Sequence, residues 1–466
     1  MEFASANFLF IFLPVVFLLY LVLPWTKVRN WLLILASIVF YAWGNVYYVP
    51  LMCLSALVNY LFALMAAKGE GRKKTALILA AVFNIGLLAV FKYAAFAVET
   101  VNGVFGATLP VPEILSPLGI SFFTFQALSY VIDSYRGDIK PTRNFGHFLL
   151  YISFFAQLVQ GPIIRWSTIE RQFTERKLTL EGAAEGLRHF IIGLAMKLIV
   201  ANTMGRVTAF VFGIEASGLN AAYAWAGAIC FLMQIYFDFA GYSRMAVGLG
   251  LMFGFTIPEN FDHPYIAYSM TDFWRRWHIT LSRWFRDYVY IPLGGNRRGA
   301  FRTGVNKIIV FLLTGLWHGA NWTFVVWGAY NGLFLLGENY VKKTKFRLPK
   351  PVTWVYTIIA VTVGFVIFNS PDMAYAWAMI RNMFSGFDIG PETVAALSAV
   401  FKPTVLAVLA VSFVAATPAA SLVDSRLAGR PKLRAALRYT AALVLFVLCV
   451  FFIASGNYNP SIYTKF

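Results

Sequence analysis

Asn306-Lys307-Ile308-Ile309-Val310-Phe311-Leu312-Leu313-Thr314-Gly315-Leu316-Trp317-His318-Gly319-Ala320-Asn321 runs from a basic residue into an apolar stretch and ends on a histidine. After the next apolar run the chain is basic again, at Lys342, Lys343, Lys345, Arg347 and Lys350. Lys and Arg that flank a membrane span stay in the cytoplasm. Both flanks therefore read as cytoplasmic, and the chain between them must enter the membrane and come back. From Lys307 to His318 is 11 residues, about 16 Å of helix against a hydrocarbon core of ~30 Å. That arithmetic places His318 near mid-membrane, at the turn. Gly319 and Ala320 would let a substrate come close to the backbone. A polar residue at such depth is costly, so function is the default reading. The competing one is a core histidine that ties two helices together.

Composition puts this hairpin in context. The chain of 466 residues is 59% hydrophobic and only 13% charged, too little polar surface for a water-soluble protein of this length. A spanning segment must satisfy its own backbone hydrogen bonds, and the alternating pattern of an outer-membrane barrel is absent. The expected fold is an all-α polytopic membrane protein. It should have about ten or eleven transmembrane helices, plus re-entrant and interfacial helices around a tunnel. The net charge of +18 sits mostly in short loops, which suits a positive-inside bias better than nucleic-acid binding. The first apolar segment has no basic lead-in and no small-residue cleavage site, so a retained span is expected rather than a signal peptide. Cys53, Cys230 and Cys449 each lie in an apolar run, without the spacing of a disulfide or metal site.

Spans are expected near residues 8–24, 31–44, 50–67 and 75–97, and again near 352–369, 401–420 and 437–454. The basic cluster Lys68, Arg72, Lys73 and Lys74 reads as cytoplasmic, as does the linker of Arg426, Arg430, Lys432, Arg434 and Arg438. The N-terminus and the Asp372–Glu392 loop read as external. Between these regular regions, 118–135 is apolar but holds Gln126, Ser129 and Asp133. Runs near 145–160, 183–212 and 222–254 carry Gly, Pro or charge, and broken helices are expected there. A single domain over 1–466 follows, with an N-terminal helical bundle (1–115), a catalytic core (116–340) and C-terminal helices (341–466).

The second histidine of interest is 40 residues upstream of the first. Trp274, Trp277, His278, Leu281, Trp284, Phe285 and Tyr288 recur at helical spacing, with Arg275, Arg276, Arg283 and Arg286 largely elsewhere on the wheel. This predicts an amphipathic helix at a membrane interface. The arginines serve either as lipid anchors or as phosphate ligands for a donor. Pro292-Leu293-Gly294-Gly295-Asn296-Arg297-Arg298-Gly299 resembles a phosphate-cradling glycine loop only loosely, without a Lys-Ser/Thr ending, and is expected to be a tight cytoplasmic turn. Arg165 follows the helix break Gly161-Pro162 and is either an anchor or a ligand contact. Asp238, a carboxylate in an apolar run, is expected to pair with an arginine.

The runs Phe237-Asp238-Phe239-Ala240-Gly241-Tyr242-Ser243, Pro258-Glu259-Asn260-Phe261 and Asp272 through Ser282, followed by Trp284-Phe285-Arg286-Asp287-Tyr288, together resemble the core of the membrane-bound O-acyltransferases. Ile291-Pro292-Leu293-Gly294-Gly295-Asn296-Arg297, Gly315 through Asn321 and Tyr458-Asn459-Pro460-Ser461-Ile462-Tyr463 narrow the resemblance to the bacterial branch similar to alginate O-acetyltransferase. One departure stands out. Where family members often carry Lys-Lys followed by Asp, this chain has Met196-Lys197 and Asn202.

The resemblance implies transfer of an acyl group, acetyl from cytoplasmic acetyl-CoA, to a hydroxyl of an extracytoplasmic polysaccharide such as an alginate-like exopolysaccharide or peptidoglycan. His318 and His278 match the family's two histidines, with His318 as general base. Arg275, Arg276, Arg283, Arg286, Trp277, Asn321 and Arg165 are the expected donor-site residues, Asn321 also as an oxyanion donor. No cofactor is bound permanently; acetyl-CoA is a substrate. The expected setting is the bacterial cytoplasmic membrane, with an extracytoplasmic esterase-like transferase as partner. Three alternatives stay open: a D-alanyl transferase for teichoic acid, an acyl-carrier transporter, and a non-catalytic membrane scaffold.

Overall fold

The structure is a computed structural model that describes residues 1–341, 344, 348–456 and 462. Lys342, Lys343, Lys345 and Arg347 of the basic connection, and Tyr458–Ser461 and Tyr463 of the C-terminal motif, lie outside the described residues. Among the described residues every regular element is helical. The chain forms two units, one of Met1–Phe190 with Ser243–Pro258, the other of Ile191–Tyr242 with Glu259–Phe466.

By length and composition, seven helices among the described residues suffice to cross a membrane, or eight if the bent pair Pro391–Val400 and Pro403–Ala415 counts as one. The sequence suggested ten or eleven. The bent pair turns by 76° where one straight span was expected near 401–420; Pro403 opens its second half and cannot continue a helix entering from Lys402. The first apolar segment, Phe8–Val22, is shorter than a full span. An apolar helix must cover its backbone before it can cross lipid, and these segments do so with lengths and polar residues that fall short of a simple crossing.

In the first unit, the helix Ile120–Arg136 buries Gln126, Ser129 and Asp133. Ser129 Oγ donates back to Gln126 O at 2.8 Å. The helix Phe145–Ser153 ends at Phe154, and irregular backbone follows to Arg165, with Phe154, Phe155, Gln157 and Gln160 buried. Non-helical backbone survives in an apolar setting only when protein covers it. Gly161 is essential to that path, because a Cβ there would stand 2.4 Å from Gln157 Cα.

The helix Ala221–Met252 contradicts the expectation of a broken run at 222–254. It is continuous for 32 residues. Its glycines tighten packing instead of ending the helix. A Cβ on Gly241 would lie 2.8 Å from Gly193 O. The charge at Asp238 is neutralised by a partner described below.

In the second unit, the hairpin of helices Gly299–His318 and Trp322–Val341 carries the site. Its arms touch at glycines. A Cβ on Gly315 would meet Phe324 O at 2.2 Å, and one on Gly328 would meet Phe311 O at 2.3 Å. Each arm has 20 residues, about 30 Å at 1.5 Å per residue. The hairpin is therefore a full-length one, not the half-depth re-entry that the count from Lys307 suggested, because the first arm begins eight residues earlier at Gly299. The turn before it is tight as expected. Gly294, Gly295 and Gly299 adopt positive φ, and Asn306 Nδ2 donates to Gly295 O at 2.9 Å.

Candidate active site

His318 is the last residue of the helix Gly299–His318 and is 4% exposed. Its imidazole is boxed by Trp317, Trp327 and Phe368, with ring centroids at 4.9, 5.1 and 5.3 Å, all edge-on. Trp327 comes from the return arm and Phe368 from the helix Lys350–Asn369, so three helices converge on this ring. Gly319 does not leave room for a substrate. The Phe324 ring already fills that space, 2.1 Å from where a Cβ would be. The glycine is needed by the protein's own packing.

His278 is fully buried, at 0% exposure, and the expected continuous amphipathic helix breaks at it. One helix ends at Arg276 and the next begins at Ile279. His278 itself sits at φ 45°, ψ 54°, a left-handed conformation unusual for a side-chain-bearing residue and typical of functional sites. Asn260 holds the break together. Its backbone carbonyl accepts from Ile279 N at 3.0 Å. Its side-chain Oδ1 accepts from Thr280 N at 3.0 Å and Thr280 Oγ1 at 2.9 Å, and lies 3.3 Å from His278 Nδ1. Burial pushes the His278 imidazole down to about 3, because a charged ring would lose its hydration. The apolar side of the broken helix is buried as the spacing implied, with Trp274, Trp277, Leu281, Trp284, Phe285 and Tyr288 all in the interior.

The two histidines share a neighbour. Trp317 lies 4.9 Å from His318 and 5.8 Å from His278, centroid to centroid. Phe239, on the helix Ala221–Met252, closes the His278 side at 4.7 Å. Trp277 is stacked on Phe273 at 5.5 Å and belongs to the aromatic core beneath them.

The other expected site residues divide. Arg276 pairs with Asp272 at 3.1 Å and Asp262 at 3.3 Å. Arg286 pairs with Asp287 at 2.6 Å. Arg275 and Arg283 are exposed. Asn321 is a tie: its Nδ2 donates to Pro371 O at 3.0 Å, and its Oδ1 accepts from Thr323 N at 3.0 Å to cap the return arm. Arg165 belongs to the first unit, at the start of the short helix Trp166–Ile169.

Asp238 is 1% exposed, and its partner is a lysine, not an arginine. Lys197 Nζ donates to Asp238 Oδ1, and the backbone N–H of Ile462 donates to Asp238 Oδ2 at 2.9 Å. Lys197 comes from the widened turn Met196–Ala201. Its position was visible in the sequence, but nothing there tied it to a residue 41 positions on. Asn260 stands in the run Pro258-Glu259-Asn260-Phe261, and a lone Asn after a Glu carries no signal of the three donors it gathers.

The match to the membrane-bound O-acyltransferase family model covers residues 121–371, over half of the chain and including both histidines. The chain belongs to the membrane-bound O-acyltransferase family. Membrane-bound O-acyltransferases are multi-pass membrane enzymes, and the apolar helices described above fit that class. The chain is 43% identical to a probable alginate O-acetylase AlgI of Azotobacter vinelandii, over 83% of this chain and 78% of the relative. It is 36% identical to a peptidoglycan O-acetyltransferase of Helicobacter pylori, over 82% and 79%. It is 30% identical to a teichoic acid D-alanyltransferase of Bacillus subtilis, over 55% and 67%.

Proposed function

We propose that this membrane-bound O-acyltransferase O-acetylates a polysaccharide outside the bacterial cytoplasmic membrane, drawing acetyl from cytoplasmic acetyl-CoA, with His318 as general base. The observation that carries the reading is His318 itself, a buried imidazole boxed by three aromatic rings at the end of a full-length hairpin arm. Relatives named for alginate and peptidoglycan acetylation, each matched over about four-fifths of both chains, support the acetyl group and the glycan class. The teichoic acid alternative draws on a relative matched over only 55% of this chain.

In this mechanism the acceptor hydroxyl oxygen attacks the thioester carbonyl while His318 takes the hydroxyl proton. The C–S bond breaks, the new ester C–O bond stays, and the proton passes to the departing thiolate. Arg275, Arg283 and Arg286 are exposed and are the arginines of this stretch that would meet donor phosphates. The acetyl group is then handed on to the polysaccharide by a separate extracytoplasmic esterase-like transferase.

The test is the O-acetyl content of surface glycans, read by mass spectrometry from cells with wild-type protein, with His318→Ala and with none. Loss of acetylation in the variant at matched membrane expression is expected. Wild-type acetylation in His318→Ala would favour the scaffold reading.

A further inference from the structure

The Asn260 side chain makes a choice that reaches His278. Thr280 N is a backbone donor, and it lies 3.0 Å from the Asn260 side-chain atom that also faces His278 Nδ1. A donor cannot face a donor, so that atom is the carbonyl oxygen, and the amide orientation is settled without appeal to hydrogens. The oxygen then calls for a donor at Nδ1 as well. In a neutral imidazole one nitrogen carries the proton and the other a lone pair. Nε2 is left with the lone pair, and among the described residues it has no hydrogen-bond partner although it is buried. A buried polar atom without a partner is uncommon in a native fold and calls for an explanation.

We propose that Asn260 is a positioning residue that locks His278 as the Nδ1–H tautomer, so that Nε2 is held as an acceptor for an O–H or N–H group of the bound substrate. The lock is built from the strained backbone as well as from the amide. The left-handed φ of His278 turns its ring back over Asn260, and Ile279 N on the Asn260 carbonyl fixes that turn. Among the described residues, aromatic rings, and not ionisable groups, pack on the imidazole. Phe239, Phe261 and Trp317 face it. The carboxylates on the packed elements are engaged elsewhere: Asp238 with Lys197, Asp262 and Asp272 with Arg276, Asp287 with Arg286. The proposal rests on the acyl-transfer reading only for the identity of the substrate; the tautomer is a property of the resting protein.

Two measurements test it. The first is nitrogen NMR of the full-length protein in detergent with 15N-labelled histidine, the His278 signals being identified by their loss in His278→Gln. A protonated Nδ1 and a bare Nε2 are expected before any substrate is added; a protonated Nε2 overturns the proposal whether or not the protein acetylates anything. The second is the pH profile of acyl transfer by Asn260→Asp. A carboxylate beside the ring should raise its pKa from about 3 by about 1–3 units, so activity should fall below about pH 6, where wild type still works, and recover as pH rises toward neutral. A pure loss of folding gives no such recovery. An Asn260→Asp profile that overlays wild type overturns the proposal, and if that variant does not fold, the nitrogen spectrum of the wild type decides alone.

Discussion

Asn321 Nδ2 donates a 3.0 Å hydrogen bond to the carbonyl of Pro371. The turn of the His318 hairpin is thereby level with the far end of the helix Lys350–Asn369. Two loops separated by 50 residues therefore meet, and they are expected on one side of the membrane. Single cysteines placed at Lys73, Lys350 and Asp372 report this directly. Impermeant maleimide should reach the Asp372 site from outside intact cells, and the other two only after lysis. Labelling of Lys73 and Lys350 on opposite faces would break the hairpin topology.

His318 and His278 should separate kinetically. Loss of a general base costs roughly 10²–10⁴ in rate, so His318→Ala should lower kcat by that order with the protein still folded in detergent. His278→Ala should cost less, since its role is to hold rather than to deprotonate. Purified enzyme assayed for acetyl release and transfer measures both, and equal losses in the two variants would refute the division of labour.

The hairpin glycines predict opposite outcomes for one substitution. Gly315→Ala places a Cβ 2.2 Å from a backbone oxygen on the facing arm, and only a shift of the two arms can relieve it. Overpacking of this kind costs about 1–3 kcal/mol. Gly337→Ala meets nothing within 4 Å, and replacing a helical glycine gains roughly 0.5–1 kcal/mol. Melting temperatures in detergent should move down for the first and stay level or rise for the second.

The Lys197–Asp238 pair should behave as a buried unit. Removing one partner leaves a buried charge and costs about 3–5 kcal/mol. Lys197→Met and Asp238→Leu should each lower the melting temperature sharply, while the double variant recovers most of the loss. Additive losses would show that the two side chains do not depend on each other.

Acid should weaken the fold through His278. Its pKa is held at about 3 in the folded protein, against ~6.5 when unfolded. The unfolded chain therefore binds the extra proton first, and stability falls as pH drops from about 6.5 toward 3. Above that window the group contributes nothing to the pH slope. Melting curves between pH 7 and 4 should fall less steeply for His278→Gln than for wild type; equal slopes would remove His278 from the acid response.

The class of fold was legible because lipid leaves few choices. A chain this apolar must close its backbone hydrogen bonds inside helices, and the spans at 50–67, 352–369 and 437–454 fall within a few residues of Val46–Ala66, Lys350–Asn369 and Pro431–Ala454. The hairpin whose first arm ends on His318 was legible from its flanking charges, but its length was not, because that arm begins at Gly299 and not at Lys307. The break at His278 was not. Helical spacing runs straight through it, and what interrupts it is Asn260, 18 positions away. The lysine partner of Asp238 was hidden for the same reason, since charge pairing across helices leaves no local pattern. Gly319 shows the opposite error: a glycine beside a candidate base invited a substrate, and the Phe324 ring had taken the space.

Asp238 is translated 224 residues before Ile462, whose backbone N–H completes its coordination. Until that amide has been made, Asp238 Oδ2 lacks this donor. The geometry of this core thus depends on a segment far downstream of the helices that carry the ion pair. A fusion joined close after Ile462 bears on the interior of the enzyme, although by position in the chain it would pass for a remote tag.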